Sequence, residues 1–194
     1  ENKPEDLSTV RLSGWHTDDS YFAEPAKGTL LQSLALPESG GETRFCNTEK
    51  AYEGLPEDMK RRLEGARAVH RYATERATAP PPPLTEEEEG EVSEGPEVTH
   101  PIVRTHEETG LKAIFLNPNR TDSVVGLERA ESDALLDRIE AHMTQPKYRY
   151  DHPWRLGDIL VWDNRCLVHS VNVDYPVGQE RRHQRILLKG PCPV

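Results

Sequence analysis

Apolar residues in this chain come in short runs broken by glycine, proline and charge, the pattern of many short strands with a few helices between them. Residues 1–13 are polar, include Pro4 and read as a loop. A strand is expected to begin at Trp15 and His16, followed by a loop over 17–25 rich in acids and aromatics. Residues 29–36 are mainly apolar, end at Pro37 and predict a buried strand. Gly40 and Gly41 predict a turn, and 42–46 a short strand. Asn47 or Thr48 can cap a short helix running to about Gly54. Pro56 suits the first turn of a second helix over 57–64, with Met59 and Leu63 four apart on one face.

Residues 66–72 predict a further strand, and 100–104 with 112–116 a hairpin around the turn at 107–110. Between them, 77–98 holds four consecutive prolines and a run of glutamates, which predicts a solvated, flexible loop or a lid. Over 130–143, Leu135, Leu136, Ile139 and Met143 recur at helical spacing as a core-facing stripe. Strands are expected at 158–162, 167–173 and 184–189, the last two separated by a turn at 176–178. Helices do not alternate regularly with the strands, which argues against a doubly wound sheet. The tally fits a mainly β domain over 1–194, a jelly roll with a few inserted or flanking helices.

Charge narrows the partners. Lys and Arg number 24 against 34 Asp and Glu, a net charge of -10, which disfavours nucleic acid and anionic membranes. No apolar run has the length of a membrane-spanning helix. Cys46, Cys166 and Cys192 are widely spaced and odd in number, which suits a reducing cytoplasm better than a disulfide framework. The chain opens on Glu1, and its most informative motif falls within twenty residues, so a preceding segment is expected in the natural protein.

That motif is His16-Thr17-Asp18. In an extended strand, residues two apart share a face, so one imidazole and one carboxylate can aim at a single point. His169 would complete a set of two histidines and a carboxylate, which suits non-haem Fe(II) and leaves open coordination positions. Alone, a His-x-Asp triplet is weak, and its weight comes from what surrounds it.

Trp15 to Asp18, the stretch Gly40-Gly41-Glu42-Thr43-Arg44-Phe45, Trp162-Asp163-Asn164-Arg165 with His169, Asp174-Tyr175 and the segment Arg181 to Arg185 together resemble the taurine dioxygenase/TfdA family. The resemblance implies a double-stranded β-helix and an Fe(II)- and 2-oxoglutarate-dependent oxygenase. Its iron ligands fall on His16, Asp18 and His169. Its 2-oxoglutarate-binding threonine falls on Thr43, and its carboxylate-clamping arginine on Arg185. Arg181 is expected near the site, facing an acidic substrate. Arginine suits the clamp because its planar, permanently charged fork matches a carboxylate.

Such an enzyme couples conversion of 2-oxoglutarate and O2 to succinate and CO2 with hydroxylation, or a related oxidation, of a small acidic molecule. Asp18 argues against halogenation, because related halogenases lack that carboxylate. Two other readings use the same residues: a non-catalytic jelly-roll binding module and a metal hydrolase. Asn117, Asn119 and Arg120 follow a strand and can line the mouth of the site or serve turn chemistry around Pro118. His70, His100, His106, His142, His152 and His183 are expected to serve structural or surface roles. A homo-oligomer is compatible with the sequence.

Overall fold

A computed structural model describes residues 14–77, 84, 86, 89–90, 92 and 97–194. Two three-stranded antiparallel sheets frame its centre. One is built from β1 (Ala26–Ala35) between β9 (Ile159–Asp163) and β11 (Arg182–Lys189). The other has β2 (Thr43–Asn47) between β8 (Arg149–His152) and β10 (Leu167–Val171). The second sheet gains one more rung from an isolated antiparallel bridge between His16 and His169. A third sheet joins β3 (Arg67–His70) to β4 (Val98–Pro101) and β7 (Thr121–Val124). β5 (Val103–Thr105) and β6 (Lys112–Ile114) form the expected hairpin.

Side-chain alternation decides what each sheet face does. On β10, Val168 points to the helical side and His169 to the other, opposite Phe45 of β2. Cys46 shares the helical side with Val168. That side is covered by α1 (Thr48–Glu53), α2 (Glu57–Leu63) and α3 (Arg129–Met143). Asn47 caps α1 by accepting the Lys50 N–H at 2.8 Å. The stripe of Leu135, Leu136, Ile139 and Met143 packs there with Met59, Leu63, Ile102 and Ile114. Phe45, Trp162 and His169 face away from this core, with ring centroids 4.8–5.3 Å apart for the pairs that include Trp162.

The strand expected as buried over 29–36 begins earlier, at Ala26, and is buried fully on one face only. Thr29 and Ser33 point inward, while Leu34 is exposed. On the outer face Leu30 lies between Val161 and Ile186, and both neighbours are exposed together with Ile159 and Leu188. Three further differences have physical causes. The strand over 100–104 splits at Ile102, whose N–H bonds to the Ala66 carbonyl and whose carbonyl accepts from Phe115. Pro101 precedes that switch and has no N–H to continue the ladder. β7 and β8 carry too few apolar residues to announce themselves, yet each is an edge strand needing only one partner. Of the 77–98 loop, most residues lie outside those described.

His70 and His100 stack with Phe115 inside the third sheet, both almost fully buried. Burial holds both rings neutral. It pushes His70 well down and His100 to about 4, against the opposing pull of the Phe22 carbonyl that His100 reaches at 3.0 Å.

Ile139, 1% exposed, should cost about 2–5 kcal/mol when cut to alanine, read as a lower denaturant midpoint. The unfolded chain protonates His100 near pH 6.5 and the folded chain only near 4, so its contribution is full above 6.5 and lost as the pH falls through that window. His100 alone should account for roughly 3 kcal/mol of acid destabilisation. Urea titrations at pH 7.5 and 4.5 should show this fall, and His100→Gln should shrink it; an unchanged fall in the variant would refute the assignment.

Candidate metal centre and anion pocket

His16, Asp18 and His169 meet. Their donor atoms all lie within 4.8 Å of one another, and all three residues are buried. The His16–His169 bridge carries two backbone hydrogen bonds, from His16 N at 2.9 Å and from His169 N at 2.7 Å, and sets the rings 4.1 Å apart. Asp18 joins them by a different route from the expected one. It sits in a turn after the bridge, next to Asp19 at φ 58, so the turn rather than strand pleating aims its carboxylate. His16 Nδ1 donates to the Gly14 carbonyl at 2.9 Å. A carbonyl can only accept, so the His16 lone pair is left on Nε2.

A chain of buried side chains fixes Asp18. Thr29 donates to Asp18 Oδ2 at 2.5 Å, and Asn164 donates to Thr29 at 2.8 Å. Trp162 in turn donates to Asn164 at 2.9 Å. Asn117 is 1% exposed rather than at the mouth; its carbonyl accepts from Arg120 N and Thr121 N in the turn around Pro118, and its side chain holds the 17–20 turn from behind, donating to the Thr17 carbonyl at 2.6 Å and to Ser20 at 2.9 Å. Burial works against ionising Asp18, but its surroundings, the Arg185 guanidinium and the Thr29 hydrogen bond among them, outweigh it and hold its carboxyl below the usual range. Burial also keeps both histidines neutral, His169 down at about 3. The site therefore presents two neutral imidazoles and one carboxylate, the protonation states a divalent transition metal requires.

The two arginines divide differently from the sequence expectation, which joined Thr43 to Arg185. Arg185, on β11, donates to Asp18 Oδ1 at 3.2 Å, with its side chain about half exposed. Thr43 receives Arg181 instead: Nη2 reaches the hydroxyl at 3.2 Å while Nε donates to the Gly41 carbonyl at 2.8 Å. Trp154 also donates to the Thr43 hydroxyl, at 3.0 Å. Gly41 has φ 75, and a Cβ there would press on Arg181 Cδ at 3.2 Å. Arg181 is partly buried; burial lowers its guanidinium to about 10 against the attraction of Tyr175 and Glu42, and no described carboxylate lies within ion-pair distance of it. A partly buried cation without a close counter-ion is costly, and a bound anion would reduce the cost.

The remaining histidines stay out of the triad. His142 bonds to the Ala51 carbonyl at 2.8 Å and His106 to Asp163 at 3.1 Å. His106, Asp163 and Cys166 also lie close together, but Arg165 donates to both Asp163 oxygens and already supplies the positive charge there. Arg120 lies 5.0 Å over the Tyr72 ring, close enough to His16 to disfavour protonating it. Thr29, Asn164 and Trp154 were not singled out as site residues from sequence. Thr29 had one available signal, a lone hydroxyl opening an apolar strand.

Comparison with known proteins agrees with this geometry. The family model described as taurine catabolism dioxygenase TauD, TfdA family matches residues 1–187. The alpha-ketoglutarate-dependent 2,4-dichlorophenoxyacetate dioxygenase of Burkholderia sp. (strain RASC) is 39% identical over 176 residues, covering 91% of this chain and 58% of that protein. The alpha-ketoglutarate-dependent sulfate ester dioxygenase of Pseudomonas putida is 32% identical over 188 residues, covering 95% and 62%. The crystal structure of AAD-2 in complex with Mn(II) and N-oxalylglycine superposes with a TM-score of 0.83 at 28% identity, covering 100% of this chain and 72% of that one. The chain thus spans about three fifths of the length of these two curated relatives.

Thr29→Val keeps the strand shape and removes the hydrogen bond to Asp18. It should weaken Mn(II) or Co(II) binding by about tenfold or more, measured by calorimetric titration. Unchanged affinity would mean that Thr29 does not orient the carboxylate.

Proposed function

The chain belongs to the TauD/TfdA family of dioxygenases, and on that footing we propose that it forms the metal- and 2-oxoglutarate-binding core of an Fe(II)-dependent oxygenase. The observation that carries this is the pairing of a buried two-histidine, one-carboxylate set with a partly buried arginine, without a carboxylate at ion-pair distance, beside a threonine hydroxyl. The first is a donor set suited to Fe(II), with positions left open. The second is a receptor for the far carboxylate of a small diacid. A metal hydrolase needs no such receptor, and a metal-free binding module needs no such donor set.

His16, Asp18 and His169 would hold Fe(II), which supplies O2 activation coupled to decarboxylation of the 2-oxo acid. The protein's own groups do the placing. Arg181 and Thr43 anchor the co-acid's far carboxylate, which sets the reach of its 2-oxo end toward the triad. Thr29 keeps Asp18 ionised and oriented, while Phe45 and Trp162 pack against His169 and limit water at its ring. Arg185 stands beside Asp18 with its side chain half exposed, a position suited to the anionic group of an acidic substrate. The relatives named above act on a phenoxyacetate and a sulfate ester, which supports acids of this kind as substrates. Hydroxylation at a carbon near the anionic group is the outcome we assign.

Succinate release should require Fe(II), 2-oxoglutarate and O2, should rise with a suitable phenoxy acid, sulfonate or alkyl sulfate, and should vanish in His16→Ala. Arg181→Gln should raise the KM for 2-oxoglutarate by about tenfold or more, since a charge-assisted pair is lost. Arg185→Gln should instead abolish stimulation by acids. Stimulation by neutral compounds alone would refute the acidic substrate, and the reverse pattern in the two arginine variants would exchange their roles.

A further inference from the structure

The Thr43 hydroxyl has two lone pairs and one hydrogen. Trp154 Nε1 donates to its oxygen at 3.0 Å and Arg181 Nη2 at 3.2 Å. An indole N–H and a guanidinium can only donate, so both lone pairs are engaged. The hydroxyl hydrogen has no acceptor among the described residues, and Thr43 is 2% exposed. Thr43 can therefore meet a ligand only as a donor. Arg181 can meet one only as a donor as well. Toward a ligand, the Thr43 hydroxyl and the Arg181 guanidinium present hydrogens only.

We infer that Trp154 is the positioning residue that fixes this polarity, making the Thr43–Arg181 end select a carboxylate tail and reject its neutral amide. The inference rests on the reading that Thr43 and Arg181 hold the co-acid's far end. A carboxylate accepts from both groups. A terminal amide would turn N–H against donors or leave a buried polar group unpaired, which is how a small change is rejected strongly. Without the indole N–H, one lone pair of Thr43 is released, and the hydroxyl can rotate to accept from an amide.

The fold holds Trp154 for this role. Thr43 pairs with His152 across β2 and β8, and Trp154 follows two residues later, on the same side by the period of an extended chain. Its indole sits edge-on between the rings of His152, at 4.7 Å, and His183, at 4.5 Å. Both His183 ring nitrogens are buried without a described partner, and the indole N–H goes to Thr43 rather than to either of them, so the His183 ring braces the indole by packing.

The test uses the Mn(II)-loaded protein and two unreactive probes, N-oxalylglycine and N-oxalylglycinamide, with affinities measured by calorimetry. Wild type should bind the acid at least a hundredfold more tightly than the amide. Trp154→Phe should lower that ratio by roughly tenfold, through a weaker acid and a stronger amide. In turnover, the loss should fall on the KM for 2-oxoglutarate far more than on kcat. If both probes weaken equally in Trp154→Phe, the indole is merely structural and the inference is overturned. Should that variant not fold, Trp154→Leu replaces it: the ratio should again fall, and an unchanged ratio overturns the inference. A wild type that binds acid and amide alike also overturns it. A wild type that binds neither probe in the presence of metal removes the underlying 2-oxoglutarate reading, a result distinct from these.

Discussion

Two backbone hydrogen bonds between His16 and His169 are the constraint on which the site rests. They join positions 153 residues apart in sequence with an antiparallel rung only one residue long. A rung that short cannot hold by itself, because closing so long a loop carries a large entropic cost. It is held because β10 is already paired to β2, and because Asn117 and Asn164 grip the segment after His16 through the Thr17 carbonyl and hydroxyl. Two donors therefore come from one rung, and the third comes from the turn that the rung launches. Placement of the donors is a property of backbone pairing, and their chemistry is a property of burial.

Burial acts differently on the two kinds of charge in this protein. Arg104 is 1% exposed but has Glu107 as an ion-pair partner and the Phe115 ring beneath it, and Arg165 has Asp163, Glu107 and Glu108. These arginines tie the 104–108 segment to the end of β9. Arg181 is partly buried and hydrogen-bonds only to neutral groups, the Gly41 carbonyl and the Thr43 hydroxyl, with Glu42 beyond ion-pair distance. The contrast separates cations with close carboxylate partners from one without, and it is visible only once partners are counted in three dimensions.

The triad and the sheet class were legible in the sequence because each is carried by local spacing and residue type. The His-x-Asp pair and the helical stripe of α3 are found where expected, although Asp18 arrives by a turn, and most strand-like runs are strands with shifted or broken bounds. What escaped was long-range pairing. Nothing along the chain indicates that Thr43 meets Arg181 rather than Arg185, since the two arginines share one short segment and one residue type. The choice is made by the Gly40–Gly41 turn, which puts a carbonyl where Arg181 Nε can reach it. Trp154 escaped for the same reason, because its partner lies 111 residues away. Polar edge strands such as β8 gave no periodic signal, because only one neighbour and one face constrain them.

Arg181 and Arg185 are four positions apart, with a shift in strand register near the start of β11. Four extended residues measure about 13 Å and return to the same side of a sheet. The segment therefore behaves as a caliper with one jaw at the threonine and the other at the aspartate. Inserting one residue between the jaws would turn a guanidinium out to solvent. Inserting two would keep both on the same side but open the gap by about 7 Å. The span of this segment, rather than any single contact, sets how far apart the threonine and aspartate ends of the cleft receive their arginines.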